Sequence, residues 1–148
     1  MIKALMAQEL RVRDVMTREV VTVPYSATVC EAGDILHAAA VSGAPVVGSG
    51  GRVLGIVSRT DLVDPRHNHA ADAPVADVMT RVVFAVRADD PAVCAVRLMA
   101  EEHVHRAVVT NDTGVMAGIV TPMDVLRALL PMISSPVEAG FTYVDLRR

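Results

Sequence analysis

The sequence predicts a mixed α+β protein built from two copies of one β-α-β-β-α unit. The chain repeats itself at a fixed offset of 63 residues, because Asp-Val-Met-Thr-Arg occurs at 14–18 and again at 77–81. Aligned without a gap, residues 12–63 and 75–126 are identical at seventeen of fifty-two positions. A copy of about sixty residues buries too little surface to be stable alone. We therefore expect the two copies to pack as a pseudo-twofold pair.

The repeat divides the chain into five segments. An apolar stripe of Ile2, Leu5, Met6 and Leu10 predicts a helix at the N-terminus. Hydrophobic residues make up 52% of the chain and aromatics only 3%, so the core is expected to be aliphatic. The predicted segments are the N-terminal helix (1–10), the first copy (11–64), a polar linker (65–73), the second copy (74–130) and a tail (131–148).

In the first copy, the β-branched run at 20–23 predicts a strand. A helix follows, because Thr28 and Glu31 have the spacing of an N-terminal capping box. Apolar runs at 44–47 and 52–57, separated by a Gly-rich turn, predict two more strands, and a short helix is expected after Ser58.

The second copy predicts the same order of elements. Asp90 is the expected N-cap of its first helix, with Pro91 at the first helical position. The second helix is expected to end at Pro131. The predicted strands cover 82–86, 107–110 and 115–120, and the last helix covers 122–130.

Composition limits the possible partners. The net charge is −3 and no basic block is present, which makes a nucleic-acid partner unlikely. No apolar run reaches the ~18–20 residues of a membrane span, and no signal peptide is recognisable, so we expect a cytoplasmic protein without a membrane partner. Cys30 and Cys94 lie in matching helical segments and are expected to be small buried hydrophobes rather than a disulfide.

One motif carries chemistry in both copies. Gly-Ile-Val-Ser-x-x-Asp at 55–61 returns as Gly-Ile-Val-Thr-x-x-Asp at 118–124, where an apolar strand runs directly into a helix. The hydroxyl and the acid are typical of a helix cap. The same geometry also suits an anion site at a helix N-terminus, with the carboxylate free to accept hydrogen bonds from a sugar diol. The motif alone leaves both interpretations open.

The repeated Asp-Val-Met-Thr start, the β-α-β-β-α order and the Gly-h-h-Ser/Thr-x-x-Asp end, with h an apolar residue, resemble a tandem pair of cystathionine-β-synthase (CBS) domains over about residues 12–130. The resemblance implies that the two domains form one module with two clefts. Such clefts bind adenosine-containing ligands such as AMP, ADP, ATP or S-adenosylmethionine. It further implies that the motif Asp binds the ribose hydroxyls and that the module is regulatory.

Matching positions gives two expected ligand sites. Pro45 fits the family pattern, whereas Val108 replaces the proline in the second copy. Each copy carries one candidate phosphate cation, which is Arg59 in the first copy and Arg106 in the second, at positions that are not equivalent in the repeat. The first site is Val20, Ala44, Pro45, Ser58, Arg59 and Asp61, and the second is Val83, Arg106, Ala107, Val108, Thr121 and Asp124.

We expect a non-enzymatic regulatory module that binds an adenine nucleotide or S-adenosylmethionine, forms a homodimer and acts on a separate, unidentified effector protein. No catalytic residues, required cofactor or metal site are predicted, since His67 and His69 lack further metal ligands and no hydrolase, zincin or phosphate-loop motif occurs. The alternative is a CBS-pair scaffold for dimerisation or interaction that binds no physiological nucleotide.

Overall fold

The computed structural model describes residues 10–67 and 69–132. The predicted N-terminal helix, apart from Leu10, and the predicted tail beyond residue 132 lie outside the described residues. None of the described helices is both long enough and apolar enough to cross a membrane.

The first copy forms a three-stranded mixed sheet with two principal helices. β1 pairs in parallel with β2, and β2 pairs antiparallel with β3. A short helix precedes the sheet, and the chain turns between β2 and β3 through the 3₁₀ turn Ser49–Gly51. The elements are α1 (Val12–Val15), β1 (Val23–Pro24), α2 (Val29–Ala38), β2 (Gly43–Val47), β3 (Val53–Ser58) and α3 (Arg59–Val63).

The second copy repeats this topology, with β4 parallel to β5 and β5 antiparallel to β6. Its elements are β4 (Ala85–Arg87), α4 (Ala92–Glu101), β5 (Ala107–Thr110), β6 (Met116–Val120) and α5 (Pro122–Leu129). Further 3₁₀ turns lie at Pro65–His67, Val75–Asp77 and Leu130–Met132. The predicted α+β fold with two β-α-β-β-α units is confirmed.

The first strand of each copy is shorter than the sequence predicts. Residues 20–22 and 82–84 precede β1 and β4 without strand pairing. The capping box at Thr28 is confirmed, with the Glu31 amide donating to Thr28 Oγ1 at 3.2 Å.

The start of α4 corrects one prediction. Pro91, not Asp90, is the N-cap, and the helix begins at Ala92. The Asp90 carboxylate instead accepts a hydrogen bond from the Arg87 amide at 2.9 Å, which closes the turn before the helix. At the other end of the copy, α5 stops at Leu129, one residue before the predicted end.

The two copies exchange their N-terminal segments. Val12 and Val15, which begin the first copy, are buried in the core of the second. Val75, Val78 and Met79, which begin the second copy, are buried in the core of the first. Each core is therefore completed by the other copy.

Backbone hydrogen bonds attach each exchanged segment to the edge of the opposite sheet. Thr17 and Ile119 exchange two N–H···O bonds of 2.9 Å, and Ile56 and Thr80 form the equivalent pair at 2.9 and 2.8 Å. Thr17 thus extends the sheet beyond β6, and Thr80 extends the sheet beyond β3.

The exchange explains the glycine that opens each Gly-Ile-Val motif. A Cβ at Gly55 would lie 2.7 Å from Met79 Sδ and 2.9 Å from the Thr80 carbonyl oxygen. A Cβ at Gly118 would lie 2.7 Å from the Thr17 carbonyl oxygen. Both glycines are needed because the crossing segment approaches their backbone too closely for a side chain.

The prediction that both cysteines are buried is wrong. Cys30 on α2 and Cys94 on α4 are exposed. The buried stripe of α2 runs through Val29, Ala32 and Leu36. Successive residues of an α-helix are rotated by about 100° about its axis. Cys30 therefore points away from that stripe.

Candidate functional site

Ser58 and Asp61 form the cap of α3 in the first copy. The Asp61 carboxylate accepts hydrogen bonds through Oδ2 from the Ser58 amide and the Ser58 hydroxyl, both at 2.7 Å. The Asp61 amide donates back to Ser58 Oγ at 3.3 Å. The capping interpretation is therefore correct, and it uses only one of the two carboxylate oxygens.

Thr121 and Asp124 form the matching cap of α5. Asp124 Oδ2 accepts from the Thr121 amide at 2.8 Å and from the Thr121 hydroxyl at 2.9 Å. Here the second carboxylate oxygen also has a partner, because Thr17 Oγ1 lies 3.3 Å from Asp124 Oδ1. That threonine comes from the other copy.

A cleft of about 500 Å³ opens beside Asp124, and we call it the Asp124 cleft. Its walls come from both copies. The second copy contributes Arg106, Ile119, Thr121 and Asp124, while the first contributes Thr17, Glu19, Val20, Val21, Ser42 and Gly43.

A smaller cleft of about 290 Å³ opens beside Asp61, and we call it the Asp61 cleft. The Asp61 cleft is the counterpart of the Asp124 cleft, but here the first copy supplies the helix cap and the second copy supplies the segment opposite it. The first copy contributes Ile56, Ser58 and Asp61, while the second contributes Thr80, Val82, Phe84, Arg106 and Val108.

The structure places two of the predicted residues in the cleft of the opposite motif. Val20, which we grouped with Asp61, lies in the Asp124 cleft. Val108, which we grouped with Asp124, lies in the Asp61 cleft. Val20 changes place because the chain before β1 crosses to the opposite motif, whereas Val108 lies on β5 and lines the Asp61 cleft where the two copies meet.

Other predicted apolar residues do not line either cleft. Ala44, Pro45 and Ala107 are buried within strands β2 and β5. Val83 is not part of a wall, although its neighbours Val82 and Phe84 are. The ligand-binding roles assigned from the sequence remain predictions.

The two candidate phosphate cations have different surroundings. The Arg59 guanidinium donates to the Leu36 carbonyl oxygen at 3.3 Å, and Arg59 lines neither cleft. Arg106 lines both clefts, and its Nη2 donates to Ser42 Oγ at 2.8 Å. Burial lowers the pKa of the Arg106 guanidinium, and the negative charge of Asp61 opposes that effect. An arginine guanidinium is too basic to lose its proton near neutral pH, so Arg106 stays charged.

Sequence reasoning missed several residues of the cleft walls. One had a usable signal, since Thr17 and its counterpart Thr80 both end the repeated Asp-Val-Met-Thr motif. The others carried no such signal, because their place depends on how the copies dock. Among them are Glu19, Val21, Ser42 and Gly43 in the Asp124 cleft, and Val82 and Phe84 in the Asp61 cleft.

A metal centre is not apparent in the described part of the chain. Within residues 10–67 and 69–132, no group of three or more His, Cys, Asp or Glu side chains is placed to hold an ion. His67 Nδ1 instead lies 3.1 Å from the Asp61 carbonyl oxygen.

The family model of the CBS domain matches the chain twice, over residues 12–67 and 75–131. The chain belongs to the CBS-domain family. The two matches together cover most of its length, and each includes one Ser/Thr-x-x-Asp cap.

Related proteins carry CBS-like sequence as part of longer chains. An inosine-5'-monophosphate dehydrogenase of Halobacterium salinarum is 35% identical over 114 residues, which are 76% of this chain and 23% of the dehydrogenase. The uncharacterized protein MJ1232 of Methanocaldococcus jannaschii is 30% identical over 120 residues, or 81% of this chain. The matched residues are 40% of MJ1232, so this chain spans less than half the length of that relative.

Solved structures share the fold of the pair. The crystal structure of CBSX2 in complex with AMP is 29% identical, with a TM-score of 0.74 over 82% of this chain and 97% of that one. The CBS pair of protein MJ0100 from a complex with 5-methylthioadenosine and S-adenosyl-L-methionine is 23% identical, with a TM-score of 0.71. The match covers 81% of this chain and 95% of the MJ0100 chain. At 23% identity, this likeness supports the fold alone.

Proposed function

We propose that this CBS pair is a non-enzymatic regulatory module that binds an adenosine-containing ligand in its two clefts and signals to a partner protein. The observation that carries the proposal is the composition of each cleft. One copy supplies a carboxylate at the start of a helix, the other supplies the apolar segment opposite it, and Arg106 adds a positive charge.

The carboxylates suit a ribose because the cap leaves hydrogen-bonding capacity unused. Asp61 Oδ2 holds the cap, while Oδ1 accepts no hydrogen bond within the described residues. Within the same residues, Asp124 Oδ1 has only the long contact to Thr17. A vicinal diol donates two hydrogen bonds, which such a carboxylate can accept without giving up the helix cap.

A regulatory role is supported by the fact that each cleft is lined by residues of both copies. A ligand in either cleft contacts both copies at once, so it stabilises the arrangement of the copies that closes the cleft best. AMP or S-adenosylmethionine is the ligand class we favour, and the 29% identity to CBSX2, which was solved in complex with AMP, supports AMP. No cofactor or metal is required for this role.

We further propose a cytoplasmic homodimer that acts on a separate effector protein. An apolar groove of about 740 Å³ lies between α4 and α5, with Met99, Val125, Leu126 and Leu129 among its walls. Leu126 and the adjacent Leu130 are 55% and 65% exposed. Such a contiguous apolar surface is typical of a protein–protein contact. Neither a membrane nor a nucleic acid is an expected partner.

Thermal unfolding tests the ligand proposal. Purified protein should melt at higher temperature with AMP, ADP, ATP or S-adenosylmethionine, and less so with GMP. A ligand at one hundred times its Kd stabilises the native state by about 2.7 kcal/mol, which corresponds to several degrees for a domain of this size. If none of these ligands shifts melting at millimolar concentration, the chain is a scaffold without nucleotide binding.

The effector proposal needs a separate measurement. Affinity capture with the immobilised protein, with and without saturating AMP, should recover a partner in only one of the two conditions. The Asp61→Asn/Asp124→Asn double variant is the control, because its partner recovery should no longer respond to AMP. A partner recovered equally in both conditions would favour the scaffold.

A further inference from the structure

A pair of equivalent positions in the repeat gives the two clefts different charges. Glu19 lines the Asp124 cleft, and the residue 63 positions later, Val82, lines the Asp61 cleft. The described walls of the Asp124 cleft therefore hold two carboxylates, those of Glu19 and Asp124, whereas the described walls of the Asp61 cleft hold one. A charged ligand would bind differently to the two clefts for this reason.

The Glu19 carboxylate has no ion-pair partner among the described residues. The salt bridges found within residues 10–67 and 69–132 do not include Glu19, which is exposed. The adjacent Arg18 does not line the Asp124 cleft, because its Nη2 donates to the Arg13 carbonyl oxygen at 3.3 Å and its side chain lines a different cavity. The negative charge of Glu19 therefore remains available to a ligand in the cleft.

The positive charge of Arg106 does not cancel this difference. The guanidinium packs against Gly43, which pairs across the sheet with Ser58 of the Asp61 motif. Burial lowers the pKa of the Arg106 guanidinium, and the negative charge that opposes this effect is that of Asp61. Arg106 thus offsets the Asp61 carboxylate, and the Asp124 cleft keeps an excess of negative charge.

We propose that Glu19 determines the ligand charge that the Asp124 cleft accepts, so that this cleft prefers an adenosine-containing ligand with a positively charged 5′ substituent, such as a sulfonium, over one with a phosphate. This inference rests on the proposed function, since it concerns the ligand of the same cleft. Opposite charges about 6 Å apart in a solvent-exposed cleft change affinity by about three- to ten-fold. Val82 gives the Asp61 cleft no such preference, because valine carries no charge.

Titration calorimetry with S-adenosylmethionine and S-adenosylhomocysteine tests the inference on the full chain. The two compounds differ by one methyl group and by the positive charge on sulfur. Asp61→Asn weakens the other cleft, so this variant reports on the Asp124 cleft. At about pH 8 the histidines that line the clefts are mostly uncharged, and omitting divalent cations prevents a metal from bridging ligand and carboxylate. S-Adenosylmethionine should bind about three- to ten-fold more tightly than S-adenosylhomocysteine.

Exchanging the residues of the equivalent pair assigns the preference to Glu19. Glu19→Gln keeps the size of the side chain and should abolish the preference, strengthen AMP binding by about three- to ten-fold and leave adenosine binding nearly unchanged. Val82→Glu, combined with Asp124→Asn, should create the same preference in the Asp61 cleft. Glu101→Gln is the matched control, because Glu101 is exposed on α4, pairs with Arg97 at 3.5 Å and lines neither cleft. In about 0.5 M salt, where the Debye length is about 4 Å, the preference should shrink.

The results separate this inference from the proposed function. If adenosine binds but S-adenosylmethionine and S-adenosylhomocysteine bind with equal affinity, the adenosyl-binding module stands and the role of Glu19 is wrong. A preference that survives Glu19→Gln also overturns the assignment, because another group would then distinguish the charge. If adenosine, AMP and S-adenosylmethionine all fail to bind, both proposals fail together.

Discussion

Gly43 and Arg106 occupy equivalent positions in the two copies and pack against each other at the seam between them. The side chain of one fills the space left by the absence of a side chain in the other, with 2.8 Å between a Cβ built on Gly43 and Arg106 Cζ. The pseudo-symmetry of the pair is therefore broken at this point of the seam, which borders both clefts. This pair of residues is one of the differences between the two clefts.

Gly43→Ala should displace the Arg106 guanidinium and weaken AMP binding. The added methyl would also meet the Val57 carbonyl oxygen at 2.8 Å, which cannot move without shifting β3. We expect a loss of about 1–3 kcal/mol in the free energy of unfolding, the usual effect of overpacking. Urea unfolding and calorimetry with AMP measure the two effects.

Gly33→Ala is the matched control for that substitution. A Cβ at Gly33 would lie 3.7 Å from Leu62 Cδ1, an ordinary contact, and Gly33 is inside α2. Alanine should therefore stabilise the helix by about 0.5–1 kcal/mol and leave AMP affinity unchanged. A Gly43→Ala variant that behaves like Gly33→Ala would contradict the tight packing at the seam.

Val12→Ala should destabilise the second copy although Val12 belongs to the first by sequence. The side chain is fully buried in the core that contains Val109 and Val120. Removing two methyl groups from such a site costs about 2–3 kcal/mol. Methyl NMR should show the largest shifts at Val109 and Val120, and Val63→Ala, at a site 77% exposed, should change neither stability nor those signals. Shifts confined to the first copy would disprove the exchange of segments.

Asp61→Asn and Asp124→Asn distinguish a ribose ligand from a helix cap. Loss of an N-terminal carboxylate from a helix costs about 0.3–1 kcal/mol of stability. If the carboxylates also hold ribose hydroxyls, each substitution should weaken adenosine binding at its own cleft by about ten- to a hundred-fold. We expect the two variants to differ for AMP because the walls of the two clefts differ. Wild-type affinity and stoichiometry in both would show that the residues only cap helices.

Asp64 should titrate well below the usual range of an aspartate. Hydrogen bonds from the Arg66 side chain, with Nε at 3.0 Å from both carboxylate oxygens, and from the Arg66 amide lower the pKa of Asp64 from 3.8 to about 2. Because the folded-state pKa is depressed, the ion pair stabilises the fold above about pH 4, and this contribution disappears as the pH falls toward 2. Carboxyl NMR measures the titration. Arg66→Gln should return the pKa toward 3.8, whereas Arg81→Gln should not change it.

The apolar groove between α4 and α5 predicts the oligomeric state. Light scattering should give twice the chain mass of 15.7 kDa at micromolar concentration. Leu126→Asp places a charge in the groove and should shift the mass toward that of one chain. Val115→Asp, a substitution at an exposed residue just before β6, is the control and should leave the mass unchanged. A wild-type protein of 15.7 kDa in solution would rule out the homodimer.

The sequence determined the features that depend on neighbouring residues. The repeat, the order of strands and helices, and the caps at Thr28, Ser58 and Thr121 follow from local pattern, and the structure has them all. The sequence could also have predicted that Cys30 is exposed. The helical positions of Val29, Ala32 and Leu36 already place Cys30 on the outer side of α2.

Only the tertiary structure decided how the two copies share their parts. No local pattern shows that Val20 lies beside Asp124 or that Val108 lies beside Asp61, because both placements depend on how the two copies dock. The same holds for Arg106, whose place in both clefts depends on the space left at Gly43. Each half is too small to bury its own core, so the halves complete each other, and the clefts form where they meet.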